Sequence, residues 1–165
     1  MGSRRQFLVI LASAFGMVPV VAWLTGPSTV RTAGGSFPVH KSDEEWRRVL
    51  TPAQYRVLRG HATERPFTSP LNREHRDGTF SCAGCARGLF ASATKFDSGT
   101  GWPSFWRPLE NAVGTSVDQR LLMVRTEVHC AGCGGHLGHV FGDGPQPTGL
   151  RYCMNGIALN FEATL

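Results

Sequence analysis

The chain has 165 residues, 41% hydrophobic and 18% charged, with 20 glycines and 10 prolines; this is the make-up of one globular domain with a short appendage, and it excludes fibrous and broadly disordered classes. The net charge is +5, but residues 1–33 hold Arg4, Arg5 and Arg31 and no acid, so residues 34–165 carry 14 basic against 12 acidic residues, a net of +2. Nucleic-acid binding needs a field from clustered Lys and Arg, and with Lys41 and Lys95 as the only lysines, no nucleic-acid partner is expected.

Arg4 and Arg5 stand directly before an apolar run, Phe7 to Leu24, that contains no charged residue. A cationic pair followed by an uncharged stretch is the architecture of an export signal. The order Ser3-Arg4-Arg5-Gln6-Phe7-Leu8 resembles the twin-arginine signal in particular. A core helix fits the run poorly, because Gly16 and Pro19 interrupt it and nothing in it is amphipathic. Residues 1–33 are therefore expected to be a twin-arginine-type signal or a membrane anchor. No clean small-x-small cleavage triplet follows, and residues 7–24 approach the length that spans a bilayer, so membrane attachment through them stands beside cleavage. The expected location is the periplasm, free or anchored facing it.

Residues 34–41, the end of a stretch rich in Gly, Pro, Ser and Thr, read as a linker, and the domain as 42–165, with packing beginning near Ser42. Ser42 and Glu45 have the spacing of a capping box, and Trp46, Val49 and Leu50 supply an apolar helical face. A second short helix starts with Thr51 as N-cap and Pro52 in its first turn, uses Tyr55, Val57 and Leu58 as apolar contacts, and ends at Gly60. From about residue 66, short apolar runs alternate with Gly, Pro and Asn. That pattern predicts a mainly β fold, with small antiparallel sheets forming a sandwich- or barrel-like domain behind short N-terminal helices. The clearest strands are expected at 121–128 and 150–162.

Four of the five cysteines fall in one repeated tetrapeptide, Cys82-Ala83-Gly84-Cys85 and Cys130-Ala131-Gly132-Cys133. Two cysteines separated by two residues, with glycine permitting a tight turn, let both sulfurs face one centre, and two such turns complete a tetrahedral zinc site. A pair of disulfides or a thioredoxin-like redox pair are the alternatives. Duplication favours zinc, since a redox centre needs one pair only. Four thiolates leave no open position, so the Zn²⁺ would be structural.

Cys153 is left over. On a strand, Arg151, Cys153 and Asn155 share one face while Tyr152 and Met154 take the other; a nearby cation favours the nucleophilic thiolate, which argues for a reactive rather than an inert thiol. His136 and His139 flank a glycine in His136-Leu137-Gly138-His139-Val140-Phe141, and imidazole suits proton transfer near neutral pH; metal ligation and core burial remain alternatives. Gly101-Trp102-Pro103-Ser104-Phe105-Trp106 puts aromatics on a pinned loop, with Trp102 as the wall of a small apolar pocket and Phe105 and Trp106 as packing.

Taken together, Arg65-Pro66-Phe67-Thr68, the two cysteine turns, Lys95-Phe96-Asp97-Ser98-Gly99, the 101–105 loop, the 136–141 stretch and Arg151-Tyr152-Cys153-Met154-Asn155 closely resemble the methionine sulfoxide reductase B family, from about Asp43 to Phe161. The resemblance implies a zinc-containing β fold and thiol-dependent reduction of methionine (R)-sulfoxide in proteins. It puts the nucleophile on Cys153 and the proton donor on His136 or His139. Trp102, Asn155 and Arg151 become supporting catalytic groups, with Trp102, His139 and Phe141 against the substrate. One departure matters: many relatives carry a resolving cysteine where this chain has Thr100. With the other four cysteines committed to metal, recycling is expected to fall to an external thioredoxin-like thiol. Met154 and Gly156 also replace the family's frequent Ile and Ser; little effect is expected from Met154, while Gly156 is expected to loosen the loop beyond Asn155. A non-catalytic zinc-binding interaction module is the rival reading.

Overall fold

A computed structural model describes residues 37–120 and 123–164; the signal or anchor expected at 1–33 lies outside the described residues. Among the described residues, no helix is long and apolar enough to cross a membrane. Helix α1 (Asp43–Val49) opens on a complete capping box: Glu45 N–H donates to Ser42 Oγ, and Ser42 N–H donates to the Glu45 carboxylate. Helix α2 (Pro52–Leu58) repeats the device with Thr51 and Gln54. Trp46 is buried, but Val49 is 58% exposed. The expected three-residue apolar face fails there because Leu50 leaves the helix in an extended conformation and turns inward instead.

Among the described residues nine strands follow: β1 (Gly78–Cys82), β2 (Gly88–Ala91), β3 (Lys95–Phe96), β4 (Ser104–Phe105), β5 (Val113–Asp118), β6 (Arg125–Cys130), β7 (His136–Phe141), β8 (Arg151–Met154) and β9 (Leu159–Ala163). They form a three-stranded sheet, β2-β1-β9, and a six-stranded sheet, β3-β4-β8-β7-β6-β5. Every pairing is antiparallel. The mainly β reading with two short leading helices is what the chain adopts. The sheets share one core, in which Phe105 of the larger sheet stacks on Phe90 (centroids 4.3 Å) and meets Phe80 edge-on (4.9 Å). All three rings are fully buried.

Two strand expectations need correcting. The strand expected at 121–128 runs instead over Arg125–Cys130, with Met123 and Val124 exposed in the connection from β5. The stretch 150–162 is not one strand: β8 and β9 lie in different sheets, and the chain crosses between them through a 3-10 turn at Gly156–Ala158. Glu64 imposes the crossing, because its carboxylate accepts the N–H groups of Gly156 (2.6 Å) and Ile157 (3.0 Å) and takes them out of any ladder. Gly156 is thus buried and tied down, not loose. Tertiary contacts also begin ahead of Ser42. Val39 N–H donates to Gly132 O at 2.8 Å, and Phe37 meets the His129 ring edge-on.

Because Phe105 carries the contact between the sheets, Phe105→Ala is expected to cost about 3–5 kcal/mol of stability, measured as a lower urea midpoint with an unchanged slope.

Candidate active site and metal centre

Two turns of the same sequence build a sulfur cluster. Cys82 ends β1 and Cys85 precedes β2; Cys130 ends β6 and Cys133 precedes β7. Each turn closes identically. Cys82 N–H donates to Arg87 O and Cys130 N–H to Gly135 O, while Ala86 and Gly134 return their N–H groups to Cys82 O and Cys130 O, all at 2.8–2.9 Å. The closing residues both take the left-handed conformation, φ 58° at Ala86 and 69° at Gly134, which glycine adopts more cheaply than alanine. Gly84 N–H points at Cys82 Sγ (3.4 Å) and Gly132 N–H at Cys130 Sγ (3.3 Å).

All four sulfurs lie within 4.8 Å of one another, with Cys82 to Cys133 at 3.8 Å and Cys85 to Cys130 at 3.5 Å. Sulfurs ~2.3 Å from a tetrahedral ion sit ~3.8 Å apart, so the donors fit such an ion. All five cysteines are free, which disposes of the disulfide alternative. The cluster joins the end of β1 in one sheet to the β6–β7 turn in the other.

The second site grows from the register of the six-stranded sheet. Cα pairing sets Ser104 opposite Cys153, Cys153 opposite His139, His139 opposite Glu127 and Glu127 opposite Ser116. Paired residues project to the same face, so five polar groups form one row across β4, β8, β7, β6 and β5. The next row holds Arg151 opposite Phe141, which seats the guanidinium over the Phe141 ring at 4.4 Å. Gly138 is required between the histidines: a Cβ there would collide with the Cys153 carbonyl oxygen.

Regular alternation cannot put His136 and His139 on one side, since they are three residues apart. A β-bulge does it. Val128 pairs Gly138 while His129 pairs His136, so β7 carries one extra residue, Leu137. The bulged Leu137 carbonyl, lost to the ladder, accepts both Asn155 N–H (2.8 Å) and Asn155 Nδ2 (3.1 Å). Asn155 Oδ1 in turn accepts Glu64 N–H at 2.9 Å. Asn155 is therefore a bracket between three segments, with its side chain committed to backbone partners.

Thr63, Trp102, Arg125, Gly138, His139, Phe141, Cys153 and Asn155 line a cleft of about 110 Å³. Trp102 is fixed by its indole N–H on Glu64 O at 3.2 Å. His139 Nε2 bonds Asp118 Oδ2 at 2.8 Å, and Arg125 reaches the same oxygen at 2.8 Å. Burial pulls the His139 pKa down more than Asp118 lifts it. Asp118 itself is lowered to about 2, first by the His139 hydrogen bond and then by the Arg120 N–H.

Two expected site residues stand back from the cleft. His136 is 2% exposed and bonds Glu127 Oε1 through Nδ1 at 2.7 Å, edge-on to the His139 ring. His61 Nδ1 reaches the same oxygen at 2.9 Å, and Ser116 donates to Oε2 at 2.7 Å. Burial alone would raise the Glu127 pKa; these hydrogen bonds outweigh it and hold the carboxylate far below its usual range. Arg151 is held by Asp143 through two bonds of 2.9 and 2.8 Å, which raises its pKa further.

Sequence reasoning missed His61, Thr63, Glu64, Asp118, Arg125 and Glu127. None lies in a motif with chemical spacing, and only the pairing of β5, β6 and β7 could have found Asp118 and Glu127.

This fold, with its cysteine cluster and cleft, belongs to the SelR domain class, whose family pattern the chain matches over residues 50–163. The chain is 57% identical over 125 residues to the peptide methionine sulfoxide reductase MsrB of Agrobacterium fabrum, covering 75% of this chain and 93% of that protein. It is 59% identical over 125 residues to the MsrB of Bradyrhizobium diazoefficiens (75% and 90%) and 54% identical over 125 residues to that of Methanosarcina barkeri (75% and 88%). The chain is a member of the MsrB family.

Removing one sulfur leaves three donors, so Cys85→Ser is expected to lose its bound ion on dialysis where the parent keeps it, as read by elemental analysis. Asp118 has a folded pKa below its unfolded value. Its stabilising contribution is present above the unfolded carboxylate pKa of ~4 and is lost as pH falls from there toward 2. Asp118→Asn should therefore lower the melting temperature at pH 6, and the deficit should shrink by pH 2.5.

Proposed function

We propose that the chain reduces methionine (R)-sulfoxide in proteins to methionine, with Cys153 as the one thiol that reacts. The observation that carries this reading is the cross-strand pairing of Cys153 with His139 in a cleft walled by Trp102 and Phe141. A thiol nucleophile, a proton carrier and aromatic surface for an S-methyl group stand together there.

A sulfoxide sulfur is a poor electrophile until its oxygen is protonated. Two electrons pass from the Cys153 sulfur to the substrate while His139 delivers a proton to the oxygen. The substrate's S–O bond breaks, methionine leaves, and the oxygen ends on Cys153 as a sulfenic acid. Asp118 and Arg125 hold His139 from the far side, and His136 with Glu127 supports it from behind. Trp102 packs against the methyl group, Arg151 keeps positive charge two residues from the sulfur, and Asn155 fixes the cleft floor.

Thr100 has its Oγ1 3.7 Å from Cys153 Sγ, at the position where the family resemblance puts a second cysteine in many relatives. With Cys82, Cys85, Cys130 and Cys133 holding a structural Zn²⁺, whose chemistry is to cross-link the two turns, no internal thiol is left for recycling. An external thioredoxin-like dithiol does the work. Its first thiol condenses with the sulfenic acid, releasing water, and its second frees Cys153 from the mixed disulfide. The arginine pair and apolar run at residues 1–33 support a periplasmic site of action, with residues 7–24 either removed or kept as an attachment to the membrane.

The test is an assay on a peptide carrying each separated epimer of methionine sulfoxide, run with thioredoxin and with dithiothreitol. Turnover is expected on the R form, with at least a thousandfold loss, on the order of a removed nucleophile, in Cys153→Ser at unchanged metal content. Turnover on the S form alone, or an unaffected Cys153→Ser, would overturn the assignment.

A further inference from the structure

Behind His139 stands a second cluster of metal-ligating side chains, separate from the cysteine turns. The chain leaves α2 through His61, whose backbone is left-handed at φ 53° and whose N–H returns to Val57 O at 3.1 Å. Its ring reaches across to the six-stranded sheet. There His61 Nδ1 and His136 Nδ1 meet one and the same oxygen, Glu127 Oε1, at 2.9 and 2.7 Å. The other carboxylate oxygen, Oε2, accepts from the Ser116 hydroxyl at 2.7 Å, which leaves Oε1 to the two rings. Each of the three residues offers a ligand atom within 4.8 Å of the others. The two imidazoles stand 5.0 Å apart by centroid. His61 opens the cluster to water, its side chain being 32% exposed against 3% for His136.

We propose that His61, Glu127 and His136 form a second metal site, which takes a divalent ion of the zinc class with water in its fourth position. Two imidazoles and one carboxylate are the donor set of a three-ligand zinc site with an open place, and imidazole nitrogen selects zinc, cobalt or copper over magnesium and calcium. The hydrogens now aimed at Oε1 hold the place of the ion. A carboxylate only accepts, so each Nδ1 carries a hydrogen in the metal-free state; on binding, the hydrogen of each neutral ring passes to Nε2 and the Nδ1 lone pair takes the ion. His136 Nε2 is buried without a partner, so this transfer breaks no bond at that end. Donors ~2.1 Å from a tetrahedral ion lie ~3.4 Å apart, so the two contacts lengthen by roughly 0.6 Å, for which partly exposed His61 has room. Ser116 keeps Oε1 turned to the ion, as supporting hydrogen bonds do for ligating carboxylates. His139 is no part of the site, because its Nε2 is engaged by Asp118.

The experiment is equilibrium dialysis of the full chain, its cysteine site filled with zinc, against cobalt(II), followed by elemental analysis and visible absorption. The parent should keep its zinc and take up one cobalt, with the d–d bands of a nitrogen- and oxygen-bound ion and no sulfur charge-transfer band. His61→Asn removes one imidazole and puts in a residue type that tolerates the left-handed backbone. It should keep its zinc and bind cobalt at least about tenfold more weakly, since loss of a mere supporting partner already costs that much. Excess magnesium should not displace the cobalt. No cobalt beyond the zinc in the parent overturns the proposal, as does equal binding in His61→Asn, displacement by magnesium, or cobalt that enters only by replacing zinc on the sulfurs. No sulfoxide enters the measurement, so this outcome is separate from that of the epimer assay.

Discussion

The row of Ser104, Cys153, His139, Glu127 and Ser116 across five strands is the constraint on which the rest of this structure depends. A polar row inside a sheet is costly unless each member is partnered. Ser104 bonds Ser98 and the Trp102 carbonyl, His139 bonds Asp118, and Glu127 takes Ser116 and two imidazoles. Slipping β7 by one residue against β8 would turn His139 to the opposite face and leave these partners buried and unpaired. The hydrogen-bond network and the register therefore specify each other.

What fixes the start of β7 is the sulfur cluster. Gly134 closes the second cysteine turn, and His136 begins the strand two residues later. The turn thus sets where the bulge at Leu137 falls, and the bulge brings His136 beside His139 and frees the carbonyl that Asn155 grips. Closing a long loop between Cys85 and Cys130 costs chain entropy that grows only slowly with length, and a four-sulfur clip offsets it without occupying the cleft. The two groups of cysteines stand apart: four cluster where the two sheets meet, and Cys153 lines the cleft.

Much of this was readable in the chain. The capping box at Ser42, the N-cap at Thr51, the repeated cysteine turn, the solitary Cys153 and the shared face of Arg151 and Cys153 follow from spacing of one to five residues, where backbone geometry is nearly independent of the remainder of the fold. The break after Met154 was not readable, because a distant carboxylate, Glu64, decides it. The bulge was hidden for a similar reason: in sequence, His136 and His139 differ by an odd number of residues, and regular alternation separates them. Asp118, Glu127 and His61 lack any motif and are brought in by strand pairing alone. Val49 shows the limit for short helices, where one residue past the last turn can take the buried position from the one before it.

The central claim is that a single sulfur takes the oxygen from the substrate and waits for an outside thiol. The direct measurement is to give the metal-loaded protein one equivalent of peptide methionine sulfoxide with no reductant, add dimedone, and map the modified cysteine. The account predicts a dimedone adduct on Cys153, with Cys82, Cys85, Cys130 and Cys133 recovered as free thiols once the metal is released. A disulfide joining Cys153 to any of those four would contradict it.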